Sequence, residues 1–126
     1  MAATPSGPDG LPAEIAELRT SDEALIVVDV GGNIVLLSEP AEEFFGIGLH
    51  DIAGEAMELL MPEEFRFGHQ AYRRAFFMEP VEREMDPGLE PHAERPLDGE
   101  RIPIAVRLEP KELAGVRYAV AHIRQR

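Results

Sequence analysis

Two runs of strand-forming residues meet at Gly31-Gly32, and the first run is apolar on both of its faces. In residues 24–30 (ALIVVDV), Ala24, Ile26 and Val28 lie on one face, with Leu25 and Val27 on the other. Side chains alternate across a strand, so this pattern requires cover on both sides. Gly-Gly permits the positive φ angles of a tight turn, and residues 33–38 (NIVLLS) return as the second strand of a hairpin. The domain core supplies one cover. The other has to be an N-terminal helix or a partner chain. Leu11, Ile15 and Leu18 recur at helical spacing between Pro12 and Thr20-Ser21-Asp22, which predicts a short amphipathic helix there. Such a helix is marginal alone and needs a surface to lie on. Residues 1–10, rich in Ala, Pro, Ser and Gly, read as a flexible lead-in. The chain thus divides into a lead-in and helix over 1–21 and one domain over 22–126.

Beyond the hairpin, Ser38 is placed to cap a helix with Pro40 just inside it, Phe44 and Phe45 facing inward, and Gly46 at its end. A short helical piece is expected within residues 50–60, carrying Met57, Leu59 and Leu60. A longer helix is expected from Pro62 to about Phe77, with Phe65, His69, Tyr72 and Phe76 on one face. That face is apolar except for His69 and offers no second polar group converging on it. Met78–Gly88, with Pro80 and Pro87, reads as a loop. After the Asp98-Gly99 turn, Ile102, Ile104, Val106 and Leu108 alternate with Arg101, Pro103, Ala105 and Arg107, as in a strand with one buried face. The last strand, Val116 to Ile123, sets Val116, Tyr118, Val120 and His122 on one face and Ala119, Ala121 and Ile123 on the other. Two strands, several helices and about three further strands make an α+β domain without internal repeats.

Charge and composition exclude several functions. The net charge is −12, split into −16 over residues 1–100 and +4 over residues 101–126. A field of that sign repels phosphate backbones, so nucleic acid is not an expected partner. The arginines near the end read as the wet face of strands. The chain has no cysteine, which removes disulfides, thiolate catalysis and Cys-based zinc sites. No apolar run reaches membrane-span length, and Met1–Gly10 lacks the basic and apolar parts of a secretory signal. A cytoplasmic protein is expected, with no membrane partner.

Three segments together resemble the PAS family: DVGGNIVLLSEPAEEFFGI, LLMPEEFRFGHQAYRRAFF and ERPLDGERIPIAVRLEP. They are similar to its hairpin and Phe-Gly helix, its long helix with lead-in, and its strand after an Asp-Gly turn. The resemblance spans roughly residues 22–124. It implies a five-stranded antiparallel sheet with helices packed on one face around a small cavity, plus the N-terminal amphipathic helix. It also implies a sensory or regulatory module of a sensor kinase or transcription regulator, acting by homodimer contacts and binding of a small ligand. Light-sensing flavin and coumarate-binding members react through a cysteine, so those chemistries are excluded here. The family's Asp-containing coupling motif is not matched by Ile123-Arg124-Gln125-Arg126, and an effector is expected beyond the chain.

The candidate ligand-binding residues are Phe65, His69, Tyr72 and Phe76. The candidate dimer residues are Leu11, Ile15 and Leu18 of the helix with Ala119, Ala121 and Ile123 of the last strand. His69 stands where haem-based oxygen sensors of the family place their iron ligand, but those members also use an arginine shortly before the Asp-Gly turn. Here Glu90, Pro91 and His92 occupy that region and Arg95 is too close to the turn, so a hydrogen-bonded core or cavity histidine is favoured over haem. His50, His92 and His122 show no metal-ligand spacing, and no phosphate loop or nucleophile motif is present. A non-catalytic module is therefore expected. The alternative is a small-molecule enzyme of α+β cone type using His69, which would need another polar group beside that residue.

Overall fold

The computed structural model describes residues 11–85 and 90–126. The lead-in expected over residues 1–10 and residues 86–89 of the expected loop lie outside the described residues. Strand β1 (Ala24–Asp29) and strand β2 (Ile34–Leu37) form the first hairpin. At its turn Gly32 adopts φ 83°, and the Asp29 carboxylate accepts the Asn33 N–H at 2.9 Å. Helix α1 (Ala13–Ala16) runs into a 3-10 turn over Glu17–Thr20. Helix α2 (Glu39–Phe45) starts at Ser38, whose hydroxyl accepts the Ala41 N–H, and stops at Gly46 with φ 69°. Ser38 is fully buried; it also accepts the Leu25 N–H and donates to the Glu23 carbonyl, so its polar group is satisfied throughout. Helix α3 (Leu49–Ile52), a 3-10 turn at Met57–Leu60 and the long helix α4 (Glu63–Met78) follow.

The remaining strands are β3 (Arg83–Glu84), β4 (His92–Glu94), β5 (Arg101–Leu113) and β6 (Val116–Gln125). Among the described residues the sheet has six strands, not the expected five, with order β2-β1-β6-β5-β3 and β4 also on β5, and every pairing is antiparallel. The extra count has a simple cause. β5 is 13 residues long, and its open edge takes β3 at Arg107–Leu108 and β4 at Arg101–Pro103. Two short strands thus share one lane. Residues 83–84, expected within a loop, pair because that edge offers unpaired backbone groups.

Register decides which face is inner. Ala24, Ile26 and Val28 lie beside Ile123, Ala121 and Ala119, and Val106 and Leu108 lie beside Ile123 and Ala121. Ile26, Val28, Val106, Leu108, Ala119, Ala121 and Ile123 all border a cavity under the helices. Leu25, Val27 and Val120 alternate with them and point to the opposite face, yet none is more than 2% exposed. Among the described residues, the N-terminal helix is the element left to cover that face. Its Ile15 is fully buried and Leu11 nearly so, while Leu18 packs half-buried against the core. Arg19 pins the end of this segment, donating to the Leu37 carbonyl at 3.0 Å and pairing with Glu42 of α2 at 2.9 Å.

The structure places the expected dimer residues on two sides of the sheet. Leu11 and Ile15 are core residues of their own chain. Ala119, Ala121 and Ile123 lie on the cavity side of the sheet, across from that helix. Strand parity separates two faces but does not say which is inner; the pairing of β6 with both β1 and β5 does.

Candidate functional site

Between α4 and the inner face of the sheet lies a cavity of about 470 Å³. That volume is in the range of small-molecule sites. Its walls are mainly apolar, with Ile26, Val106 and Ala121 from the sheet facing Phe45, Leu60 and Phe76 from the helices. Spacings of four, three and four put Phe65, His69, Tyr72 and Phe76 on one side of α4, and all four border the cavity. They are graded in depth. Phe76 is buried, Tyr72 is half-buried, and Phe65 is 49% exposed. The His69 and Tyr72 rings stack at 6.2 Å, and the Arg83 guanidinium lies over Tyr72 and Phe76 at 5.3 and 5.7 Å.

His69 is held by a buried carboxylate. Glu58, only 3% exposed, accepts from His69 Nδ1 at 2.8 Å and from Arg73 Nε at 3.2 Å, both through Oε2. Burial alone would raise the Glu58 carboxyl, but the hydrogen bonds from His69 and Arg73, with the Arg73 charge, outweigh it and hold the group below its ordinary value. Glu58 Oε1 is buried with no partner among the described residues. Arg73 also lies against the hairpin turn, where a side chain on Gly32 would run into its guanidinium. The Met57 N–H donates to the Gly32 carbonyl at 2.9 Å. One cluster therefore ties the β1–β2 turn, the Met57–Leu60 turn and α4 together.

The expectation that no second polar group converges on His69 is corrected here. Arg73 is four residues further along α4, hence on the same side one turn on. That spacing was legible. Glu58 was not, because an acid beside Met57 in a short turn looks like an ordinary surface residue.

The sequence matches the family described as PAS fold over residues 16–124. The chain belongs to the PAS family. No curated protein matches it in sequence. Among solved structures, the PAS domain of an HTR-like protein from Haloarcula marismortui is 19% identical, with a TM-score of 0.72 and 90% of each chain covered. The PAS domain of nitrogen regulation protein NR(II) from Vibrio parahaemolyticus is 15% identical, with a TM-score of 0.67, covering 92% of this chain and 100% of that one. The PAS domain of the Cronobacter turicensis RpfR quorum-sensing receptor, in complex with BDSF, is 14% identical, with a TM-score of 0.66 and coverage of 83% and 94%. At these identities the likeness establishes the fold.

Other histidines and arginines of this PAS domain are placed differently from His69. His92 also borders the cavity, its Nδ1 donating to the Glu90 carbonyl at 2.7 Å. His50 is exposed beside Asp51. His122 lies on the outer face, its ring nitrogens 3.0 Å from Glu23 and 2.9 Å from Glu109, with Arg107 at 3.1 Å. No group of three or more metal-ligating side chains forms among the described residues. Arg95 donates to the Phe44 carbonyl at 2.9 Å, pairs with Asp98 and does not border the cavity. It is not placed to act on a molecule bound there. No helix among the described residues is long and apolar enough to cross a membrane.

Proposed function

We propose that this PAS domain is a non-catalytic cytoplasmic input module that binds a small, largely apolar molecule between α4 and the sheet. The cavity of about 470 Å³, walled by Phe, Ile, Val, Leu and Met side chains, is the observation that carries the reading. The RpfR PAS domain, which shares the fold, exists in complexes with BDSF and with C12:0, which supports it. In this reading the module works as a homodimer and hands its state to an effector of sensor-kinase or transcription-regulator type. Leu11 and Ile15 are occupied within their own chain, so the dimer contact falls to surface around the helix, with that helix positioning it.

The test uses 4-hexylanisole, an apolar probe, followed by amide NMR. Shifts should concentrate at Ile26, Val106, Ala121 and Ile123, and Ala121→Leu should weaken binding at least about fivefold by filling space. Shifts scattered over the surface, or affinity indifferent to Ala121→Leu, would count against the cavity as the site.

A second reading, an isomerase-type enzyme with His69 as base, draws on the Glu58–His69 bond, which orients the imidazole as a general base requires. Among the described residues, the cavity wall holds no Ser, Thr, Cys or Lys. Protein-catalysed exchange of a ketone α-proton in D2O, lost in His69→Phe, would favour this reading.

A further inference from the structure

Resting on the cavity reading above, we infer that the site selects a neutral ligand carrying one hydroxyl or N–H donor, received by His69 Nε2. The argument starts from the proton on the opposite ring nitrogen. Nδ1 lies 2.8 Å from Glu58 Oε2, and an ionised carboxylate only accepts, so the shared proton belongs to Nδ1. Arg73, bonded to the same oxygen, keeps Glu58 ionised. The hydrogen bond made by one ring nitrogen fixes the state of the other in this way. In the neutral ring Nε2 then carries a lone pair. It has no protein partner among the described residues, it is not sealed off, and the ring borders the cavity.

The rest of the wall argues against an anion. Among the described residues, Arg73 is the only Lys or Arg bordering the cavity, and its charge is met by Glu58. Glu64 and Glu90 also border it; Glu64 is bound by Arg101 at 2.7 and 3.0 Å. A ligand carboxylate would meet two acidic side chains and an imidazole lone pair. A phenol or alcohol would donate to His69 and leave its apolar body against Leu60, Phe76 and Val106.

Three probes of one shape separate the outcomes: 4-hexylphenol, 4-hexylanisole and 4-hexylbenzoate, titrated calorimetrically at about pH 8, where only the benzoate is ionised. The phenol should bind about tenfold more tightly than the anisole, the worth of one hydrogen bond. His69→Phe should erase that preference while keeping the aromatic surface. Since this variant strips Glu58 of a partner, ring 15N spectra of the wild type give a second readout. They should show a protonated Nδ1 and a bare Nε2 that moves on adding the phenol and not the anisole. Equal affinity for phenol and anisole overturns the donor inference and leaves the cavity reading standing. Tightest binding of the benzoate overturns it too, since the site would then select an anion and not a neutral donor. If none of the three binds to folded protein, both the inference and the cavity reading fall.

Discussion

Glu58 carries the polar side of the site. Replacing it with Gln keeps the shape and removes the charge that His69 and Arg73 share. Glu58→Gln should cost about 1–3 kcal/mol at neutral pH in urea titrations, because both donors lose a charged acceptor in a buried place. The pH dependence has a definite sign. A carboxyl held below its unfolded value stabilises the fold above that value, near 4.5, and the contribution disappears as pH falls through the folded value. Wild type should therefore lose stability on acidification faster than Glu58→Gln; parallel acid limbs would show that the cluster contributes nothing. His69 was legible in the sequence because a single histidine on an apolar helix face is conspicuous. Its partner across space was not, since no local pattern links residue 58 to residue 69.

Among the elements, the N-terminal helix has the clearest consequence. Its Ile15 and the preceding Leu11 are buried, as are Leu25, Val27 and Val120 on the sheet face away from the cavity. Each such side chain contributes about 1.5–3 kcal/mol when fully buried, partly offset by the entropy of ordering the segment. A chain beginning at Ser21 should lose about 2–4 kcal/mol by urea denaturation and associate less tightly by light scattering. Unchanged stability would mean that the helix is not the cover. Helices α2 and α4 and the strands β1, β2, β5 and β6 were readable from spacing and caps: Ser38 and Gly46 bound α2 as their chemistry requires. β3 and β4 were not readable. Strands of two and three residues have no period of their own and exist because β5 presents an open edge.

At the scale of the whole molecule, the acidic excess meets the basic strands. Arg101 pairs with Glu64 and Glu94, Arg107 with Glu82, and Lys111 with Glu109. These exposed pairs contribute little each, and the net −12 leaves self-repulsion as the larger long-range effect. Raising NaCl from about 50 to about 500 mM, which shortens the screening length severalfold, should raise the thermal midpoint. A falling midpoint would give the ion pairs more weight than their exposure suggests.

The sequence by itself determined the types of the longer elements, the doubly apolar β1 and the aromatic face of α4, because periodicity, caps and turn residues act between near neighbours. Three matters were decided only by tertiary structure: which face of β6 is inner, what covers Val27, and what holds His69. Each depends on register or on contact between residues far apart in the chain. Ile26 meets Ala121 only once β1 and β6 pair, and Glu58 reaches His69 only once the Met57–Leu60 turn packs on α4. Alternation names two faces of a strand, but only its neighbours give one of them a cavity.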